Sequence, residues 1–292
     1  MTISTSTSTT VAIVPEHFDE FRVGQRFDLG VRSVTATDLE SFTALTGDAN
    51  PLHVSTERAR AAGFDGPILQ GPFGLSAFFG LWFDAGIARD SVIGMLDTNW
   101  RYHQPIQVGD EIRGEVTITR RRRTSRGVTG VIGRHITLIN QHGSVVQSGT
   151  SAFLMEAEPG TDSVGQNHFS REWIAAMASA LDSNRAFGKA TETWDGTVGL
   201  RRLDEIAQFR IYRGRVVEAG TRTPNGPTFC VESDELTWAE LFAGPCNDLT
   251  VRLMGGDSIR CTGSAYEYLR LTKALSLLVD VARELHATEE NS

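Results

Sequence analysis

The chain has 292 residues, 40% of them hydrophobic and 22% charged, an ordinary balance for a globular protein long enough to hold two cored domains. Its formal net charge of −8 is spread over both halves, which argues against the dominant basic face that a nucleic-acid partner demands; the run Arg120 to Arg123 is the local exception. Cys230, Cys246 and Cys261 are odd in number and not spaced for a disulfide frame or a zinc site, so they read as reduced structural residues.

MTISTSTSTTVAIVPEHF has no basic n-region and only a short apolar run, so it reads as neither signal peptide nor membrane anchor. A disordered or extended tail over residues 1–19 of a cytoplasmic protein is expected. Residues 20–157 read as one unit. VRSVTA alternates like a strand. Thr37 and Glu40 then form a capping box ahead of Leu39, Phe42 and Leu45 at helical spacing, and Gly47 should stop that helix. A second short helix, from about Ser55 to Ala62, closes at Gly63 in the same way.

Between the two helices stand Asp48 and His53. On a continuous helix a step of five residues would turn them roughly 140° apart. Pro51 pushes Asn50 out of the helical region, so residues 48–53 must form a bend, and a bend can bring Asp48 and His53 onto one wall, with the Asn50 side chain tying the loop. Next comes LQGPFG. With proline at the first helical position, the start of the following helix has free N–H groups from Gly71, Phe73 and Gly74, and Gly71 has no side chain to block approach. Such a helix start stabilises developing negative charge. Set beside an acid/base pair and a deep apolar core, it suits proton chemistry next to a thioester carbonyl.

GPFGLSAFFGLWFDAGIA, residues 71–88, is apolar on almost every face and must be wrapped by other structure. GEVTIT, RHITLI and SVVQSGTSAF alternate as strands, with turns at residues 108–110 and 140–143. A buried helix clasped by a long curved antiparallel sheet is the expected core. Alternation along GEVTITRRRR sends neighbouring arginines to opposite faces, so at most half of them can meet one ligand.

Residues 158–168, EPGTDSVGQNH, are polar and aperiodic and read as a linker. In the second half, Ser170 caps a helix carrying Trp173, Met177 and Leu181 on one face. QFRIYRGRVVEAG, GPTFCVES and NDLTVRLMG read as strands, and YEYLRLTKALSLLVDVARELH as one long closing amphipathic helix.

The string Leu45 to His53, LTGDANPLH, followed by Ala59 to Phe64 and by Pro67 to Gly71, closely resembles the MaoC-like, or type 2, (R)-specific enoyl-CoA hydratases of the hotdog fold. NWRYHQPIQVGDEI and NQHGSVVQSG resemble that family's returning strands, so the resemblance covers about residues 20–157. It implies that Asp48 and His53 hold the reacting water, that Asn50 supports the loop, and that the Gly71 N–H forms the oxyanion hole. The residue before that glycine is usually histidine in the family; here it is Gln70, which hydrogen bonds but cannot carry a proton. Phe73, Trp100, Arg121 and Arg123 are candidate substrate contacts. Residues 169–288 resemble the sterol-carrier-protein-like fold in pattern, which implies a fold and no named binding residue.

The expected protein is therefore α+β: a hotdog domain followed by a sterol-carrier-protein-like domain. The expected function is a hydratase or dehydratase acting on a 2-enoyl or 3-hydroxyacyl thioester of coenzyme A or a carrier protein. No metal or redox cofactor is expected, nor a nucleic-acid partner or membrane insertion, and the chain should pair with a second copy through residues 20–157. A hotdog thioesterase and a non-catalytic acyl or lipid carrier are the rival readings.

Overall fold

In the computed structural model, which describes residues 14–256 and 258–288, the first half is a five-stranded antiparallel sheet curled around one helix. A 3-10 turn, Phe18–Glu20, leads into β1 (Arg26–Ser33), α1 (Ala36–Thr46), α2 (Pro51–Val54), α3 (Thr56–Ala61) and the central helix α4 (Pro72–Asp84). Then come β2 (Val92–Tyr102), β3 (Glu111–Arg123), β4 (Thr129–Asn140) and β5 (Val145–Glu156), in the sheet order β1-β3-β4-β5-β2. Alternation puts Ile112, Val116, Ile132, Ile136, Leu138 and Phe153 on the inner face, against Phe73, Ala77, Phe78, Leu81 and Trp82 of α4.

The second half contains α5 (Arg171–Ser183), α6 (Arg185–Ala190), β6 (Asp195–Arg202), β7 (Glu205–Tyr212), β8 (Arg215–Gly220), β9 (Phe229–Ser233), α7 (Glu235–Ala243), α8 (Leu249–Gly255), β10 (Ile259–Gly263), α9 (Ala265–Arg270) and α10 (Thr272–Thr288). Its sheet runs β10-β9-β6-β7-β8, with β6 parallel to β9 and the other neighbours antiparallel. Trp173, Trp238, Phe209, Phe229 and Phe242 fill its core.

Several sequence expectations need correction. Of the expected tail, residues 1–13 lie outside the described residues, but the chain is anchored before residue 20. The Glu16 carboxylate accepts from the backbone of Arg89, Asp90 and Ser91, and Phe18 is fully buried. The first capping box is Thr35 with Asp38, two residues earlier than the Thr37–Glu40 pair; Gly47 does close the helix, at φ +72°. α4 is not covered on every face, since Phe83 is 56% exposed.

NDLTVRLMG is a helix rather than a strand. Leu249 and Leu253, one turn apart, meet the core while Val251 and Met254 face solvent, and Arg252 pairs with Asp248 across one turn at 2.9 Å. The closing helix is two, broken at Leu271, so that α9 covers β9 through Tyr268 and Phe229 while α10 turns onto α5 and α7. β6 and β10 are further strands that had not been singled out.

The halves meet where α7 lies against β3. Arg26 pairs with Glu240 at 2.7 Å, and the buried Val23 N–H donates to Gln166 Oε1 at 2.8 Å. Gly24 is required at this seam: its φ is +85°, and a Cβ there would sit 2.4 Å from that of Ala243.

Candidate active site

The bend after α1 is held by its own polar groups. Gly47 turns the chain out of the helix, Asn50 N–H donates to Asp48 Oδ1 at 3.3 Å, and Asn50 Oδ1 accepts from Leu52 N–H at 3.0 Å as the cap of α2. Pro51 occupies the first position of α2, where a missing N–H costs nothing. The result brings His53 Nε2 to 3.7 Å from Asp48 Oδ2. His53 is mostly covered and Asp48 is half exposed.

The tautomer of His53 follows from its other nitrogen. Nδ1 lies 2.7 Å from the Ile68 carbonyl, which can only accept, so Nδ1 carries a proton and Nε2 is the nitrogen turned to Asp48. His53 and Gly71 line a cleft of about 280 Å³ together with Tyr102, His103 and Gln147. Asn50 lies behind it, in a separate hollow with Pro51 and Arg58.

Gln70, 1% exposed, donates from Nε2 to both Thr43 Oγ1 (2.8 Å) and the Asp48 carbonyl (3.1 Å). It thereby ties the end of α1, the bend and the start of α4 together. Its Oε1 accepts no hydrogen bond among the described residues. Gly71 begins α4 with no side-chain cap, and its N–H donates to no group among the described residues. A Cβ on Gly71 would stand 3.2 Å from Tyr102 Cε1.

Two neighbours of Gly71 were not foreseen. Gln147, on β5, donates to the Gly71 carbonyl at 3.1 Å and accepts from the Trp100 indole N–H at 2.8 Å. Gly74 leaves it room, because a Cβ there would stand 2.2 Å from Gln147 Oε1. Tyr102, the last residue of β2, covers Gly71. Both belong to the strings NWRYHQP and NQHGSVVQSG, but their contact with Gly71 crosses the sheet and has no local sequence signal.

The remaining candidates do not reach the cleft. Phe73 is buried beside Phe42, with ring centroids 5.7 Å apart, and Trp100 acts through Gln147. Arg121 and Arg123 are nearly buried, pair with Asp19 and lie over the Phe18 ring, anchoring the N-terminal turn. Burial holds the Arg121 guanidinium below its ordinary pKa, with Asp19 opposing.

The profile of the MaoC like domain matches residues 20–138. Over 97 residues the chain is 34% identical to the (R)-specific enoyl-CoA hydratase of Aeromonas caviae, a match covering 33% of this chain and 70% of that protein. It is 30% identical over 106 residues to Protein MaoC of Klebsiella aerogenes, covering 36% of this chain, and so spans about a third (31%) of that relative's length. Among solved structures, a monoamine oxidase regulatory protein from Archaeoglobus is similar at 29% identity and a TM-score of 0.46, over 50% of this chain and 97% of that one.

Proposed function

The chain belongs, through its N-terminal half, to the family of MaoC-like hydratases and dehydratases, and from that premise we propose that it adds water to a 2-enoyl thioester or removes it from a 3-hydroxyacyl thioester. The observation that carries this reading is the approach of Asp48 to Nε2 of His53 beside the Gly71 N–H, which has no acceptor among the described residues, at the start of α4.

In the hydration direction a water lies between Asp48 and His53. His53 Nε2 takes one of its protons as the oxygen attacks C3, and the electron pair of the C2–C3 double bond moves onto the thioester oxygen. The Gly71 N–H and the positive end of α4 stabilise that enolate. C2 then takes a proton on the same face, delivered by the dyad with Asp48 as the relay. Dehydration runs the same steps backwards. Asn50 and Gln70 hold Asp48 in place, and no metal or redox cofactor takes part.

The reading includes a homodimer built through residues 20–157. β2 is an edge strand with Ile93, Met95 and Leu96 exposed, and Phe79 and Phe83 of α4 lie open beside it, a combination a second copy would cover. It also includes a sterol-carrier-protein-like second half, for which the mixed sheet packed with helices speaks. The aromatic filling of that core speaks against a lipid carrier.

The test follows enoyl absorbance and free thiol together, with crotonyl-CoA and 3-hydroxybutyryl-CoA as substrates. Loss or gain of the enoyl band without thiol release is expected. Thiol release would favour the thioesterase, and no change in either would favour a carrier. Asp48→Ala and His53→Ala should each lower turnover by roughly two to four decades with the fold retained, as general acid/base groups do. A loss below about fivefold in both variants would remove them from the chemistry.

A further inference from the structure

On the outer face of the first sheet, where the second half leans against it, lies a second cleft of about 570 Å³. This is within the range of about 300–1,000 Å³ usual for small-molecule sites. One wall carries the guanidinium groups of Arg101 on β2 and Arg120 on β3, with His103 just beyond β2 and Asp97 farther along that strand. The opposite wall is acidic, formed by Asp234 and Glu235 at the start of α7.

These charges do not satisfy one another. Arg101 is exposed and forms no ion pair among the described residues. Arg120 Nε stops 3.7 Å from Glu235 Oε1, too far for a hydrogen bond. The Glu235 side chain is only 9% exposed, yet its Oε1 has no hydrogen-bond donor among the described residues. A buried carboxylate oxygen without a donor is costly, so the cleft calls for a ligand that brings N–H groups to one wall and anionic oxygens to the other.

His103 lines this cleft and also the cleft that holds His53 and Gly71. β2 ends at Tyr102, and His103 Nε2 is 2.8 Å from Ser148 Oγ on the outer face, while the adjacent Gln147 points inward to Gly71. The two clefts therefore share a rim where the edge strand stops. A thioester seated at Gly71 with a long polar arm can pass that rim and bring its far end to Arg101 and Arg120.

We propose that the outer cleft seats the nucleotide end of coenzyme A. The phosphates lie against Arg101, His103 and Arg120, and the amine of the adenine base faces Asp234 and Glu235. This deepens the thioester reading, on which it rests, by naming the thiol as coenzyme A: a carrier protein's phosphopantetheine arm has no 3′-phosphate and no base to place there.

The test uses the full chain. Calorimetric titration with 3′,5′-ADP, which carries no thioester, should show binding that weakens about ten- to a hundredfold in Arg101→Ala and in Glu235→Gln, the range for loss of one hydrogen bond to a charged group. Binding should also weaken as salt is raised. In parallel, Arg101→Ala should lower kcat/KM for crotonyl-CoA by about tenfold relative to kcat/KM for the crotonyl thioester of N-acetylcysteamine. A chain that binds 3′,5′-ADP through Arg101 but turns over no enoyl thioester would keep the cleft assignment and defeat the reaction. A chain that hydrates crotonyl-CoA but does not bind 3′,5′-ADP, or for which Arg101→Ala lowers both thioesters equally, would overturn the cleft assignment.

Discussion

Gln70 carries more of the candidate site than its neutral side chain suggests. Its one amide nitrogen serves Thr43 Oγ1 and the Asp48 carbonyl together, in a place only 1% exposed, so removing it frees two acceptors and loosens the peptide that carries Asp48. Gln70→Leu is expected to lower kcat about tenfold with a smaller change in KM, the cost of a lost buried hydrogen bond expressed in the transition state. Equal kinetics for Gln70→Leu and wild type would make it a bystander. Gly71→Ala belongs to the same scale. Its Cβ would press on the Tyr102 ring from 3.2 Å and narrow the approach to the N–H, so turnover should fall while thermal stability stays near wild type.

At the scale of elements, α4 and the sheet around it hold a charge that has no ion-pair partner among the described residues, although its Nε–H donates to Ser151 Oγ at 2.9 Å. Arg134 on β4 is 2% exposed, its guanidinium lies over the rings of Trp82, Phe153 and Phe78, and no carboxylate pairs with it among the described residues. Burial pushes its pKa down to about 9, so it is still charged at neutral pH. The aromatic faces offset part of the desolvation, but an apolar chain of similar length would need no offset. Arg134→Met should therefore keep or raise the melting temperature; a marked drop would mean that the charge is balanced by something in the assembly.

The open side of α4 and the edge of β2 make a separate prediction. On the proposed dimer, Leu96→Asp combined with Phe83→Glu should leave a monomer in light scattering where the unaltered chain is a dimer. An unchanged dimer would place the interface elsewhere.

At the scale of the whole molecule, buried histidines link stability to pH. His168 packs against Trp173, Phe242 and His286, and its pKa is held well below 6.5, first by burial and then by His286 and Arg202. His135, between the halves, is lowered by burial too, with Asp234 and Glu240 opposing. A histidine with a depressed folded pKa takes up its proton more readily in the unfolded chain. Its contribution is therefore complete above about 6.5 and is lost as pH falls below that value. The melting temperature should drop between pH 7 and pH 5, and His168→Phe, which keeps an aromatic ring in the cage, should flatten the drop. An identical pH profile for that variant would place the acid sensitivity in other groups.

What could be read from sequence was whatever is encoded locally. Asn-Pro at 50–51 forces the bend that joins Asp48 to His53, Gly47 ends α1 because its left-handed conformation suits glycine, and Pro72 announces the bare start of α4. Period-two alternation disclosed β3, β4 and β5, whose inner faces are buried against α4. The sequence alone thus determined the approach of Asp48 to His53, the helix start and the core of the first half.

Tertiary structure decided the rest, because those facts depend on residues far apart in the chain. Gln147 reaches Gly71 across 76 positions, and Arg121 and Arg123 are spent on Asp19, about a hundred positions away, so these two arginines of the basic run, candidate substrate contacts in the sequence, anchor the N-terminal turn instead. LTVRLMG alternates as a strand would, yet folds as a helix because Leu249 and Leu253 both find the core at one-turn spacing. The outer cleft takes its acidic wall from α7, which brings Glu235 within 3.7 Å of Arg120 on β3, a meeting of residues from two halves that no local pattern encodes.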